Sequence, residues 1–421
     1  MDREKNVITI YKISTTNKIK GGLDMSEEER KTRFLSSKDT ITEENDSFYN
    51  NGNQIEKEDN QYSDDIYIDR VEFENLIENK VSRFINDGFE KVILLTGAGS
   101  SVTGDREKEI GKTMLGLVKD IINALDANSS YFELEEMIAL CQHKTEDTKK
   151  DKRLDELINL EDLLSDIERF KPFVEDTKKS KYNDTHDKIL DVIREKTSYE
   201  YDNRYLHHTK VINVLSKRVK TPNKLAIITT NYDTMFEEAL AEINYSVIDG
   251  FTNSLEPYFN ADEFEWSLVK NIPNVTTKEL EYKTNTIDLL KIHGSLTWKR
   301  NGDRIYRKPK DEINNPLLIF PSSNKFAQSY EEPYFDLFTK FQELLLSNNT
   351  LLITSGFSFG DVHIATMIRR AVMRNDGLRM LVSDFNIDQN TEGWKSIDKL
   401  RKDRFPVVFL QSSFNQLTQY L

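Results

Sequence analysis

Residues 92–101 read VILLTGAGSS, and this stretch decides the fold class. Its apolar first half is typical of a buried parallel strand that enters a tight turn. Glycines after such a strand let backbone amides approach a diphosphate, and the hydroxyls of Ser100 and Ser101 add hydrogen-bond donors. The alternative is a strand-to-helix turn that uses Gly97 and Gly99 for geometry alone. The third glycine of the common dinucleotide fingerprint is missing, which disfavours a hydride-transfer enzyme.

The same apolar strand pattern returns five times further along the chain, with helical patterns in most of the gaps. The five segments are residues 225–228, 289–292, 351–353, 380–382 and 407–410. Buried strands joined by crossover helices predict an α/β fold with a doubly wound, mostly parallel sheet. Ligands of such sheets bind outside the carboxyl ends of the strands, so the residues after each strand are the candidates for a site.

The chain divides into three predicted regions. Residues 1–68 form an N-terminal arm and a flexible polar segment, in which residues 7–11 could form a short strand. We expect residues 35–69 to be mobile, because they offer too little apolar surface to offset the entropy of ordering. Residues 69–421 form the main domain, and residues 105–221 form a large helical insertion within it.

Composition limits the location of the protein and the kinds of site it can contain. The chain has 421 residues, a formal net charge of -14 and one cysteine, Cys141. One cysteine excludes an intramolecular disulfide and a zinc ribbon. The start of the chain lacks a secretory signal, and no apolar run is long enough to span a membrane, so we predict a cytoplasmic protein. The acidic balance argues against a uniformly basic nucleic-acid groove and leaves a local basic patch open.

The second candidate segment is TTNYD, residues 229–233, which follows the second apolar strand. Asn231 can donate and accept hydrogen bonds at once, and Asp233 can bind an amide or fix the loop, with Thr230 beside them. The alternative is a helix N-cap formed by Asn231 or Asp233, and this segment alone favours the cap.

The third segment is KIHGS, residues 291–295, where a strand delivers His293 to a glycine turn. An imidazole titrates near neutral pH and suits the removal of a proton from a ribose hydroxyl or from water. A lone histidine is usually structural. The position of His293 at a third strand end, on the same sheet edge as the first two segments, favours a functional role.

The fourth segment is SGFSFGD, residues 355–361, which offers Gly356, Ser358 and Asp361 before a helix. Small residues, hydroxyls and a helix amino end suit a phosphate or a ribose. Asp384 follows the next strand and is placed to accept hydrogen bonds from ribose hydroxyls. For both, a simple turn or cap is an equally good interpretation.

Taken in order, GAGSS, TTNYD, KIHGS and SGFSFGD resemble the sirtuin-like superfamily, specifically the bacterial sirtuin-like NADases of anti-phage defence. The resemblance covers roughly residues 92–421 and implies a Rossmann-like NAD-binding core. It assigns His293 as the catalytic base and places Asn231 and Asp233 at the nicotinamide end. The predicted dinucleotide-binding residues are Gly97, Ala98, Gly99, Ser100, Ser101, Thr230, Gly356, Ser358, Asp361 and Asp384.

The resemblance implies NAD+ hydrolysis to nicotinamide and ADP-ribose. Protein deacylases with a similar core carry a four-cysteine zinc module, which Cys141 alone cannot build. Water then becomes the acceptor of ADP-ribose, and the reaction needs no metal. Depletion of NAD+ in abortive defence would be lethal without control, so we expect the activity to be gated by homo-oligomerisation or by a HerA-type ATPase partner.

Two alternatives stay open. One is a subunit that senses NAD or ADP-ribose and serves as an assembly platform without cleaving its ligand. The other is a nuclease or nucleic-acid-processing subunit of a HerA-type ATPase complex. The nearest approach to a carboxylate metal site is Glu161, Asp162 and Asp166, which we interpret as a solvated helix face or a wall of the site. Direct nucleic-acid binding is not decided by the sequence.

Overall fold

The three-dimensional arrangement comes from a computed structural model. It describes residues 30–57, 66–86, 88–103, 110–112, 114–144, 158, 160–270, 280–313, 316–318 and 332–421. Residues 7–11, predicted as a strand, and the side chain of Glu161 lie outside this described part.

The strands are β1 (Lys31–Leu35), β2 (Thr40–Glu44), β3 (Ser47–Asn50), β4 (Asn53–Gln54), β5 (Lys91–Thr96), β6 (Leu225–Thr229), β7 (Ser246–Ile248), β8 (Val269–Lys270), β9 (Glu281–Tyr282), β10 (Thr286–Lys291), β11 (Trp298–Asn301), β12 (Arg304–Arg307), β13 (Thr350–Ser355), β14 (Leu378–Asp384) and β15 (Val407–Gln411). The α-helices of the described part are α1 (Arg70–Ile85), α2 (Met114–Asp126), α3 (Leu134–Leu140), α4 (Leu160–Phe170), α5 (Asp176–Thr197), α6 (His208–Ser216), α7 (Met235–Glu242), α8 (Tyr334–Leu346), α9 (Val362–Arg374) and α10 (Glu392–Lys402).

The central sheet has the order β4-β3-β2-β1-β15-β14-β13-β5-β6-β10-β7. From β15 to β7 every neighbouring pair is parallel. All six predicted strands are present in this parallel part, which confirms the α/β prediction. Strand β5 lies between β13 and β6, and the chain order reverses at this point. In doubly wound sheets such a switch point opens a crevice at the carboxyl ends of the strands.

Two apolar cores cover the two faces of the sheet. Alternate side chains of β5 contribute to both, since Ile93 and Leu95 enter one core and Val92 and Leu94 the other. The first core is completed by α8, α9 and α10, and the second by α1, α6 and α7. Burial on both faces explains why these strands are continuous apolar runs.

The antiparallel strands β1 to β4 correct the prediction for residues 35–69, which is wrong for residues 35–57. Strand β1 pairs with β15, and β2, β3 and β4 extend the sheet from there. Phe34, Ile41 and Phe48 are buried, and Phe48 stacks on Phe73 of α1 with ring centroids 4.1 Å apart. A few buried side chains suffice here, because the edge of β15 provides hydrogen-bonding partners that composition cannot reveal.

Helices α2 to α5 enclose a separate apolar core, with Ile121, Leu163, Tyr182 and Ile189 among its buried members. These helices lie within residues 105–221, where the sequence predicts a helical insertion. The division of the chain into domains stays a prediction. No helix in the described part of the chain is both long and apolar enough to cross a bilayer.

Candidate active site

The four candidate segments follow four adjacent parallel strands at one edge of the sheet. Thr96 at the end of β5 pairs with Ser355 of β13 and with Thr229 of β6, and Thr229 pairs with Lys291 of β10. The segments therefore leave the sheet at the same level. This register places them side by side in the order SGFSFGD, GAGSS, TTNYD and KIHGS.

The GAGSS turn and the SGFSFGD loop are in direct contact at the switch point. The amide of Gly99 donates to the carbonyl of Gly356, with an N···O distance of 3.1 Å. A Cβ on Gly99 would lie 2.7 Å from the Gly356 Cα, and one on Gly356 would lie 2.6 Å from the Gly99 carbonyl carbon. Packing of the two loops thus explains both glycines without a ligand. Ala98 and Gly99 are nevertheless exposed, and the backbone there is open to a ligand.

Asn231 connects the TTNYD loop to the GAGSS turn. Its Nδ2 donates to the Gly97 carbonyl at 3.0 Å and to Ser101 Oγ at 2.9 Å, and it also lies 3.2 Å from Ser100 Oγ. Its own amide donates to Thr229 Oγ1. The side chain is buried and its amide nitrogen is satisfied within the protein. The structure brings Asn231 and the glycine turn together.

The hydroxyls of Ser100 and Ser101 bind protein groups in this structure. Ser100 Oγ donates to the Gly97 carbonyl at 2.9 Å, and Ser101 Oγ donates to Asp233 Oδ2 at 2.6 Å. Their contacts with a ligand stay predictions, and any such contact must compete with these bonds. Both residues are buried, so their contribution to the turn is internal support.

Asp233 lies beneath the loop and supports the start of a helix. Its Oδ1 accepts from the amide of Met235, the first residue of α7, while Thr234 occupies the N-cap position. The alternative interpretation of Asp233 as a helix-start residue therefore has structural support. Burial raises the pKa of its carboxyl group, an effect that the nearby charge of Lys291 opposes.

His293 and Asp361 join the third and fourth segments. His293 Nε2 lies 3.1 Å from Asp361 Oδ2, and 3% of each side chain is exposed. The other oxygen of Asp361 caps α9 by accepting from the amides of His363 and Ile364. Asp361 is thus both a cap, as the alternative interpretation held, and a partner of the histidine. The pair joins loops from β10 and β13, the two strands that enclose β5 and β6.

Ser358 lies in the SGFSFGD loop and is exposed, whereas Thr230 lies in the TTNYD loop and is half-buried. Phe357 and Phe359 are buried on either side of Ser358, which is exposed. The Phe359 ring lies 5.5 Å from the Trp394 ring, an anchor that fixes the loop with Ser358 facing outward. The amide of Thr230 donates to the Thr96 carbonyl at 3.1 Å, so this residue continues the pairing of β5 and β6.

Asp384 is separate from the other candidates. It ends β14, the strand beyond β13, and its Oδ1 accepts from the Asn386 amide at 3.0 Å and from Gln389 Nε2 at 3.1 Å. Burial raises the pKa of the Asp384 carboxyl group to about 6. The structure therefore shows a turn at this position, and the contact with ribose hydroxyls stays a prediction.

Lys291 is a residue to which the sequence assigned no role. Its Nζ donates to the carbonyls of Tyr232, at 3.3 Å, and Asp233, and to Glu237 Oε1 at 2.8 Å. The side chain is 2% exposed. The available signal was a lysine within the otherwise apolar segment 289–292, because a buried ammonium group needs acceptors for three protons.

Of the acidic residues of α4 whose side chains the structure describes, Asp166 binds neighbouring side chains. Asp166 accepts from His143 Nδ1 at 2.9 Å and pairs with Arg169 at 2.7 Å. Across the described residues, no three His, Cys, Asp or Glu side chains are grouped so that they could hold a metal ion.

A protein-family model described as SIR2-like domain matches residues 225–403. The match begins at β6 and includes TTNYD, KIHGS and SGFSFGD, whereas the GAGSS turn precedes it. No curated protein matches the chain. The family match supports a sirtuin-like family for this chain and suggests an NAD-related enzymatic function in general.

Proposed function

We propose that this chain is an NAD+ hydrolase that cleaves the bond between nicotinamide and ribose. The observation that carries the proposal is the contact between His293 and Asp361, on loops from the two strands that flank β5 and β6. The same sheet edge holds the contact between Gly99 and Gly356 at the switch point, where dinucleotides bind in sheets of this kind. A base and an open backbone turn thus lie at the same edge of the sheet.

The chemistry requires little beyond orientation and proton transfer. The C1′–N bond of the nicotinamide ribose breaks, a water oxygen bonds to C1′, and His293 takes the proton from water or from a ribose hydroxyl. Asp361 fixes the orientation of the imidazole ring. Because the Nδ2 of Asn231 is used by Gly97 and Ser101, Asn231 would bind ribose or water through Oδ1. Nicotinamide leaves as a neutral molecule, so no metal is required.

Access to His293 must be controlled, since 3% of its side chain is exposed. Substrate binding therefore requires that the groups covering the imidazole move. We propose that assembly provides this control, through a homo-oligomer or a HerA-type ATPase partner, in a cytoplasmic protein that depletes NAD+ during anti-phage defence. These finer parts of the proposal are supported by the resemblance of the four segments.

The test is nicotinamide release from NAD+ by the purified chain, alone and with a HerA-type ATPase, followed by chromatography. We expect release by the wild-type protein and none by His293→Ala or Asn231→Ala, while thermal melting shows that both variants fold. Normal turnover by both variants would refute the assigned roles. Calorimetric binding of NAD+ without nicotinamide release, under every condition, would instead identify a sensing subunit. Incubation with DNA tests the nuclease alternative.

A further inference from the structure

Lys291 lies two residues before His293, and two of its three acceptors are carbonyls on the loop of Asn231. We propose that Lys291 is a positioning residue that sets the placement of Asn231 relative to His293. This inference rests on the proposed hydrolysis of NAD+, and it assigns to Lys291 no contact with the substrate.

The contacts of Lys291 account for all of its hydrogen-bonding capacity. An ammonium group has three donors, and the carbonyls of Tyr232 and Asp233 together with Glu237 Oε1 provide three acceptors. The side chain is 2% exposed, so water cannot replace a lost acceptor cheaply. The position of the two carbonyls is therefore tied to the end of β10.

These two carbonyls directly follow Asn231 in the chain. Lys291 pairs with Thr229 in the parallel register of β10 and β6, so one residue joins the two strands that deliver His293 and Asn231. The Leu296 amide also donates to the Tyr232 carbonyl, which ties the KIHGS turn to the same loop. Loss of the ammonium group would remove this donor from the Asp233 carbonyl and leave the Tyr232 carbonyl with the Leu296 amide, so the loop would be held less firmly. A shift of about 1 Å at a reacting group can cost about a hundredfold in rate.

A second lysine provides a matched control. Lys224 precedes β6 at the opposite edge of the sheet, and its Nζ lies 2.7 Å from Asp288 Oδ1. It also donates to the carbonyls of Trp266, at 3.0 Å, and Phe264, at 3.4 Å. Like Lys291, it binds one carboxylate and two backbone carbonyls. Unlike Lys291, it contacts none of the four candidate segments.

The experiment compares Lys291→Met with Lys224→Met in the full-length protein, by kcat, by KM for NAD+ and by thermal melting. Both substitutions should lower the melting temperature. We expect Lys291→Met to lower kcat by at least about tenfold and to leave KM within about threefold of the wild-type value. The reason is that Asn231 and His293 would be misaligned while NAD+ still binds. Lys224→Met should keep the wild-type kcat.

A wild-type kcat in Lys291→Met, or an equal loss in Lys224→Met, would overturn the inference and leave the hydrolase proposal standing. Absence of nicotinamide release from the wild-type protein would instead contradict the proposed function itself. If Lys291→Met does not fold, Glu237→Ala tests the same contact from a side chain that is 27% exposed. Its kcat should fall severalfold and recover in Glu237→Gln, which keeps an acceptor for Lys291. No change in Glu237→Ala would also overturn the inference.

Discussion

The two edges of the parallel sheet use polar side chains in different ways. At the amino edge, Asn375 and Asn349 bind backbone carbonyls of neighbouring segments, and the ion pair Lys224–Asp288 lies outside the four candidate segments. At the carboxyl edge, side chains from different loops bind each other, as in the pairs Ser101–Asp233 and His293–Asp361. The first arrangement closes turns. The second holds reactive groups in fixed relative positions, and such groups are retained at functional sites even where they cost stability.

Because of this difference, we expect substitutions at the two edges to have different effects. Changes at the amino edge should lower stability and leave the activity of the folded protein unchanged. Comparable changes at the carboxyl edge should lower activity more than stability. Matched substitutions at the two edges test this expectation.

The largest effect is expected from Gly356→Ala. Gly356 has a φ of +63°, and its Cβ would lie 2.6 Å from the Gly99 carbonyl carbon, so the two loops must separate. We expect nicotinamide release to fall by at least about a hundredfold, because both loops border the proposed crevice. The fall is measured by chromatography, normalised to the folded fraction from thermal melting.

Gly377→Ala is the control for Gly356→Ala. Its Cβ would lie 2.8 Å from the Asn349 nitrogen at the amino edge, a comparable clash. We expect a lower melting temperature and an unchanged kcat. If Gly377→Ala reduces kcat as strongly as Gly356→Ala, the two edges do not differ in the proposed way.

A smaller effect is expected from Asp361→Asn. Asparagine is as good an N-cap as aspartate, so α9 should keep its stability, but the charge beside His293 is lost. We expect kcat to fall by about tenfold to a hundredfold, since general base catalysis contributes two to four powers of ten and is weakened rather than removed. Steady-state kinetics of nicotinamide release measures the change.

Asp69→Asn makes the same exchange at another helix start. Asp69 caps α1 by accepting from the Glu72 amide at 2.8 Å, within a capping box. The kcat of Asp69→Asn should equal that of the wild-type protein. If Asp361→Asn also keeps the wild-type kcat, the Asp361 carboxylate does not contribute to catalysis by orienting His293.

The order of strands and segments allowed much of this edge to be predicted from sequence. Parallel strands put their carboxyl ends at one edge, so the four segments had to meet once the alternation of strands and helices was recognised. The strands β1 to β4 were missed because their stability depends on pairing with β15, a long-range contact without a local pattern.

Individual contacts within the site could not be predicted in the same way. The residue types of TTNYD and KIHGS predict polar chemistry, but not that Asn231 binds Gly97 or that Lys291 binds the Tyr232 carbonyl. These contacts depend on backbone positions in two separate loops. The sequence also could not distinguish a glycine needed for a ligand from one needed for another backbone, as at Gly99.

The smallest expected effect concerns stability, and it contrasts Asp384 with Asp288. Burial raises the pKa of Asp384 to about 6, and its bonds come from an amide and a glutamine, whereas Asp288 has the ammonium group of Lys224 2.7 Å away. In the unfolded chain an aspartate has a pKa of about 3.9. Above pH 6 the folded protein therefore carries an unfavourable charge at Asp384, and this penalty disappears as the pH falls through 6 towards 4.

Asp384→Asn should accordingly raise the free energy of unfolding by about 1–2 kcal/mol at pH 8, after allowance for partial exposure, and by little at pH 4. Burial also raises the pKa of Asp288, and Lys224 opposes this effect. Asp288→Asn should nevertheless lower the free energy of unfolding at pH 8, because it leaves the mostly buried ammonium group of Lys224 without its charged partner. Urea denaturation at both pH values measures these changes. If the wild-type protein is more stable than Asp384→Asn at pH 8, the Asp384 carboxylate stabilises its turn. If Asp384→Asn stabilises the fold as expected and also raises KM for NAD+, the carboxylate binds the substrate at a cost to stability, as predicted for its contact with the ribose hydroxyls.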